Sequence, residues 1–438
     1  MNPVVVFDVA GSDTGASGAG PATPVTGNNA ILAASTVVDL SADAPNLAGV
    51  AVDGSAVLWV QSASGQQFAA ITAIDDVAKT VTVSVAFTVN ASGLTWAIGG
   101  QRATFDNADS RRLFADAKAG WVIEYRSPQT ITGSLLDLTA RGDTSNPIVM
   151  RSVPEHTLIS KANNFGHGMR VEDNWQFEGL HVSCSNTNNN AAWFGLRGDV
   201  RFDRLICDDA AGSFYRAMQR SSGGPTVTVT DSKFANMASF AISCSSMDVT
   251  AIGCEFVNCE YAVLLHRDST LLKDCVIHGC TARGLYRTVA TSLSAILMNC
   301  VIHGNAGDGI EITTEAATAN LNIINCSITG NAGHGISFPA SGSSVTTFVA
   351  GNNYGSGDTA NALGPVSNLP IGDGLEVDPG YADAGNGDFT GGPELAGVGY
   401  PVTPLGAGQS ATTPANDIGI AQGGGGGGGG FSLSRLVN

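Results

Sequence analysis

One short phrase recurs four times in the middle of the chain, and it constrains the fold more than any other feature. It reads Lys273-Asp274-Cys275-Val276-Ile277-His278-Gly279, then Met298-Asn299-Cys300-Val301-Ile302-His303-Gly304-Asn305, then Ile324-Asn325-Cys326-Ser327-Ile328-Thr329-Gly330-Asn331, and in degraded form Gly351-Asn352-Asn353-Tyr354-Gly355. The cysteine slot returns after 25, 26 and 27 residues, at Cys275, Cys300, Cys326 and Asn353. Upstream, Cys254 lies 21 residues earlier and Ser232 another 22 before it. A near-constant period of this size marks a chain built from stacked copies of one supersecondary unit.

Each unit holds two short apolar alternations separated by Gly and Asn, with no helical period. Cys300 and Ile302 alternate with Asn299, Val301 and His303, which is strand periodicity. A second alternation follows the Gly-Asn corner, as in Gly284-Leu285-Tyr286-Arg287, Gly309-Ile310-Glu311-Ile312 and Gly335-Ile336-Ser337-Phe338. Two or three strands per turn, stacked turn on turn, make a parallel β-helix with equivalent residues about 4.7–4.9 Å apart. Such a coil puts Cys254, Cys275, Cys300 and Cys326 in an interior column, because Cys behaves as a small buried hydrophobe. It puts Asn299, Asn325 and Asn352 in a corner column whose amides bond above and below. Drifted coils precede these, at 177–182 and 202–207, and a first rung falls within 120–152. Residues 106–118 read as a helix with Leu113, Phe114 and Ala117 on one face, placed to cap the open first coil.

The remaining chain divides by composition. Residues 1–25 are rich in Gly, Ala, Pro and Ser and read as an extended arm. Residues 26–100 carry short alternating strands, as in Ala56-Val57-Leu58-Trp59-Val60, and predict a small β-barrel or sandwich for docking. Residues 101–360 are the capping helix and solenoid, and 361–421 an irregular wrap over its C-terminal end. Residues 422–438 hold eight consecutive glycines, Gly423 to Gly430, and a terminal peptide. Phe431, Leu433, Leu436 and Val437 suit that peptide to a partner's sheet edge or groove.

Only 13% of the chain is charged and the formal net charge is −17. Nothing concentrates Lys and Arg against phosphates, so neither nucleic acid nor an anionic membrane is an expected partner. No run reaches transmembrane length. Nine cysteines, an odd number with four in the interior column, predict packed thiols rather than a disulfide framework. Met1 to Asp8 has neither a basic start nor a long apolar run, so no signal peptide is expected and synthesis is placed in a cytoplasm.

Several outward slots carry chemistry-bearing residues. His278 and His303 occupy equivalent positions one coil apart and could begin a metal site, which needs three or four ligands. Arg283, Asp308 and His334 share the slot before the corner glycine, where an acid, a base and an imidazole could serve proton transfer. Asp208 and Asp209 offer paired carboxylates of the kind glycoside hydrolysis uses. Trp193 and Phe194 could form a glycan-stacking patch, with core packing as the competing reading. No cofactor is predicted.

Residues 120–360 resemble the right-handed parallel β-helix repeat proteins of the pectate-lyase-like superfamily. Besides the repeats, Gly142-Asp143-Thr144-Ser145-Asn146-Pro147 resembles their entry segment. Asp378-Pro379-Gly380-Tyr381 with Asn386-Gly387-Asp388-Phe389, then Asp417-Ile418-Gly419, resembles their exit segment. Trp96-Ala97-Ile98-Gly99-Gly100, leading into Arg102-Ala103-Thr104-Phe105, resembles proteins of bacteriophage genomes. The superfamily includes lyases, hydrolases, tailspikes, adhesins and structural rods, so fold alone does not give function. The expectation is a non-enzymatic virion component, a head decoration, fibre-like or tail-associated β-helix. The resemblance to phage β-helix proteins implies a homo-oligomer, most simply a trimer. Residues 1–100 and 422–438 would contact other virion proteins. The alternatives are a polysaccharide lyase or hydrolase of the depolymerising tailspike kind, and an extracellular adhesin that binds host surface glycan without turnover.

Overall fold

The structure is a computed structural model. It describes residues 4–7, 25–363, 377–389 and 395. Within 25–363 the main breaks are 103–113, 132–135, 162–166, 185–188, 210–213, 221–225, 244–246, 266–268, 288–292, 314–318, 338–344, 351–352 and 355–359, with single positions and short breaks before 119. The chain forms two compact units, Met1–Asn186 with Gly198–Arg201, and Thr187–Arg197 with Phe202–Asn438.

The first unit contains the predicted small β-module as a closed antiparallel barrel. Its six strands are Val25–Ala33, Val37–Asp39, Ala56–Ser62, Gly65–Asp75, Thr80–Val83 and Asn90–Arg102. The first pairs with the second and the last, the second with the fifth, the fifth with the fourth, the fourth with the third, and the third with the last. Closure leaves no unpaired edge. Leu32, Val38, Leu58, Ile71, Val81, Trp96 and Ile98 fill the interior. The Trp96 indole N–H donates to Asp43 Oδ2 at 2.6 Å, so its polar end is satisfied despite burial. Val4–Phe7, expected within a loose arm, is a strand pairing in parallel with Asn90–Arg102 and with Val122–Tyr125.

The same unit holds three early rungs. Val122–Tyr125, Ile148–Ser152 and Trp175–Glu178 lie on one face (A) and are paired in parallel. Gln129–Ile131, Leu158–Lys161 and His181–Cys184 lie on a second (B). Leu136–Leu138 and Met169–Val171 lie on a third (C). Most of the helix expected at 106–118 lies outside the described residues; Phe114 and Ala117, from its apolar face, are buried.

The second unit is a parallel β-helix of about seven turns, counted on face B from Ile206–Asp208 to Asn353–Tyr354. Each full turn uses three strands. Registry runs unbroken up face B, where Cys207, Phe234, Phe256, Ile277, Ile302 and Ile328 stand one above another inside the coil. Leu272, Leu297 and Ile323 do the same on face A, and Leu285, Ile310 and Ile336 on face C.

The corners explain the Gly, Asn and Asp of the repeat. Arg204, Asp231, Gly253, Asp274, Asn299 and Asn325 turn the chain from A to B with φ between +49° and +64°. Asn236, Asn258, Gly279, Gly304 and Gly330 turn it from B to C with φ between +54° and +66°. Glycine adopts this left-handed conformation freely, and Asn and Asp tolerate it best among the others. Of the expected corner amides, Asn299 bonds along the stack, its Nδ2 donating to Asp274 Oδ1 at 3.0 Å, while its Oδ1 is buried without a hydrogen-bond partner among the described residues. Asn352 lies outside the described residues.

The cysteine column is interior, as expected. Cys254, Cys275, Cys300 and Cys326 are free and at most 1% exposed. The Cys275 and Cys300 thiols donate to carbonyls two residues back, at 3.2 and 3.3 Å. A second column, Cys259 and Cys280, continues into the buried amides Asn305 and Asn331. Asn305 Nδ2 donates to Asn331 Oδ1 at 2.8 Å, and Cys280 N–H to Asn305 Oδ1 at 3.0 Å, so neither buried amide is left unsatisfied. Burial pushes the Cys275, Cys280 and Cys326 thiols well up, and Cys259 to about 12.

Candidate functional site

The outer surface of the second unit carries three side-chain constellations. The first lies on face B, where strand alternation presents His278, His303 and Thr329 as one column and Glu255, Val276, Val301 and Ser327 as another. Residues 377–389 lie across both. Phe389, Tyr381 and Ala384 pack on Val276 and Val301, and Phe389 is 2% exposed. The Phe389 ring is 4.7 Å from that of His278 and 5.6 Å from that of His303, and Tyr381 is 5.2 Å from His303. Tyr381 also reaches Ser327, with 2.7 Å between Oη and Oγ. The wrap expected over the C-terminal end thus runs, in its described part, along the side of the coil.

This placement engages both histidines. His278 Nε2 is 2.9 Å from Glu255 Oε1, and Lys233 Nζ is 3.0 Å from Glu255 Oε2. His303 Nδ1 is 3.1 Å from Thr329 Oγ1. Burial and the neighbouring His278 hold the His303 imidazole below its ordinary range. Glu255 is held below the usual carboxylate range by His278 and Lys233, which outweigh its burial. Among the described residues no three His, Cys, Asp or Glu side chains form a metal-binding group, so the two imidazoles gain no further ligand of that kind.

The second constellation is an aromatic ladder on face C. Phe240 stacks on Tyr261 at 4.6 Å, and Tyr261 on Tyr286 at 4.9 Å. The Arg283 guanidinium closes the stack 4.8 Å from the Tyr286 centroid and forms an ion pair with Glu311. The three residues that share the corner slot therefore separate in role. Arg283 joins the ladder and Glu311, while Asp308 and His334 form a pair of their own. Asp308 Oδ1 accepts the His334 backbone N–H at 2.7 Å and lies 3.2 Å from His334 Nδ1.

The third is a notch of about 470 Å³ at the B-to-C corner, lined chiefly by Asp209, Asn236, Asn258, Glu260 and Thr281. Its origin is a difference in corner length. Four residues (236–239) join the two faces in one rung, three (258–260) in the next and four (279–282) in the one after. The short corner forms a floor between two taller walls. Asp209 is fully buried at one end, and neighbouring Asp208 accepts from Asn236 Nδ2 at 2.8 Å. Of the carboxylates singled out in the sequence, Asp209 alone lines this notch, where it is joined by Glu260. The sequence did hold a sign of the site, because the shortest spacing of the cysteine series, the 21 residues from Cys254 to Cys275, spans the short corner.

Trp193 and Phe194 are both fully buried, with Phe194 edge-on to Phe202 at 4.8 Å. Their rings serve the core, the reading the sequence favoured over a sugar-stacking patch. Phe431, Leu433, Leu436 and Val437 lie outside the described residues. No helix among the described residues is long and apolar enough to cross a membrane.

Comparison with known proteins agrees with this architecture. A family described as "Right handed beta helix region" matches residues 218–353, and the class defined by fold is the right-handed parallel β-helix. Among solved structures, the crystal structure of pectate lyase Pel9A aligns with 14% sequence identity and a TM-score of 0.46, covering 70% of this chain and 89% of that one. A match at that level carries no inference about activity. No curated protein matches the chain.

Proposed function

We propose that the chain is a non-catalytic β-helix shaft of a larger assembly, and that the assembly is a virion. The observation carrying this reading is lateral pairing of the outward ionisable groups. Arg283 is tied to Glu311 and Tyr286, Asp308 to His334, and His278 to Glu255 beneath residues 377–389. Groups held in this way stiffen the surface rather than await a substrate. The virion assignment rests on the resemblance of residues 96–105 to bacteriophage proteins, and homo-oligomerisation remains part of the proposal. Mass spectrometry of purified particles from a host carrying the gene should find the chain at structural copy number. Its absence from particles would remove the virion assignment.

A second reading, a polysaccharide-acting or glycan-binding β-helix, is favoured by the notch. Asp209, Asn236, Asn258, Glu260 and Thr281 present amide, hydroxyl and carboxylate groups to one depression, a lining suited to sugar hydroxyls. Incubation with host capsular glycan, read for new reducing ends or unsaturated uronates, tests turnover, and glycan-array binding tests recognition. Release of cut product that is lost in Glu260→Gln would replace the shaft reading with an enzyme.

A further inference from the structure

Residues 377–389 form a small folded strap. The Asp383 and Asp388 backbones pair with each other, the turn 384–386 lies between them, and Gly387 has φ +83°. The chain leaves face C at Leu363 and returns through 13 intervening residues to lie on face B. Its grip on the coil has two parts. One is apolar, with Phe389, Tyr381 and Ala384 against Val276 and Val301; the other is the two imidazoles, whose rings meet the strap's aromatic rings.

We propose that this strap is an acid-releasable latch, closed while His303 is neutral and opened when it carries a proton. The charges around the pair give the reason. From the coil, His278 faces Glu255, and Glu255 is already shared with Lys233. From the strap, Asp378 attracts a proton to His303, and Tyr381 contributes a neutral ring and a hydroxyl engaged with Ser327. Asp383 and Asp388 sit at the strap's own turn, where the Asp383 carboxylate accepts from Asn386 Nδ2 at 2.6 Å. A proton on His303 sits against the Phe389 and Tyr381 rings, one rung, about 4.8 Å, up the stack from His278.

The sign follows from the surroundings of His303. Burial and His278 disfavour its charged form in the closed state, while release returns the ring to water. The open form therefore binds the His303 proton more tightly. Closure is complete above the ordinary imidazole value of 6.5 and weakens as pH falls below it.

The test is hydrogen exchange of the full-length chain, read in peptides covering 377–389 and corrected for the intrinsic pH dependence of exchange. Exchange there rises severalfold between about pH 7 and about pH 5 while the interior strands of face B stay protected. His303→Phe keeps a ring against Tyr381 and Phe389 but cannot titrate, and it abolishes the rise. His278→Gln removes the neighbouring charge and moves the rise to lower pH, which keeps the proposal testable should the phenylalanine variant fold poorly. Equal exchange of the strap at both pH values, or an unchanged rise in either variant, would overturn it.

Discussion

Faces B and C of the second unit are built from the same repeats, yet they shield their outer columns by opposite means. Face B recruits a remote segment: Tyr381 reaches Ser327 across 54 positions of sequence. Face C uses its own neighbours, Phe240, Tyr261 and Tyr286, which stack from one rung to the next. An outward side chain on a solenoid has near-identical residues above and below it, so two solutions are open to it. It can bond along the column, or it can be covered. Columnar stacking depends on adjacent rungs alone, whereas a cover adds a long-range contact that can open without unfolding the coil.

The largest effect should strike both faces alike, because it acts on the shared interior. Burial pushes the Cys207, Cys259 and Cys280 thiols above their ordinary value of 9.0. Their groups are protonated in both states below that value and ionise first in the unfolded chain above it. Stability is therefore full at neutral pH and falls as pH rises past 9, as the unfolded chain's thiols ionise before the buried ones. Thermal melts between about pH 8 and about pH 10.5 should show a steep fall in Tm. A flat profile would contradict a dry cysteine shaft.

Next in size is the cover on face B. Phe389→Ala should weaken strap docking by about 3 kcal/mol, the cost typical of deleting a buried phenylalanine ring. The loss should appear as faster hydrogen exchange at 377–389, with face C unchanged. Equal loss of protection on face C would erase the distinction between the two faces. Tyr261→Ala should cost less, about 1–3 kcal/mol for two stacked pairs, read as a lower denaturation midpoint with the strap still protected. The smallest effect belongs to Arg283→Met, about 0.5–1 kcal/mol, because the guanidinium is partly exposed and water screens its pairing with Glu311. A midpoint shift as large as that of Tyr261→Ala would mean that the ladder depends on the arginine rather than on ring stacking.

Much of the architecture was legible because a solenoid writes its contacts into its period. Cys275, Cys300 and Cys326 lie one above another because 25 and 26 residues each complete one turn of the coil. Asn299, Asn325 and Gly330 announced the corners because few residues adopt positive φ at low cost. The site was less legible. His278 and His303 read as a solvated pair because nothing local predicts that Tyr381 and Phe389 return to cover them. Trp193 and Phe194 read as possible surface rings because outward and inward positions are hard to tell apart in an eight-residue strand with an irregular register. The notch went unseen because no single residue marks it; it arises from one corner being a residue shorter than those on either side.

Sequence by itself determined the repeat, the strand class, the turning residues and the thiol interior, since these follow from local periodicity and backbone preference. Tertiary structure alone decided which side of the coil residues 377–389 cover, where a shortened corner opens a notch, and which of Arg283, Asp308 and His334 pair with one another. These depend on distances between rungs and between distant segments. The physical reason is that a repeating pattern specifies equivalent positions, whereas contacts between non-equivalent positions form only once the coil has placed them side by side.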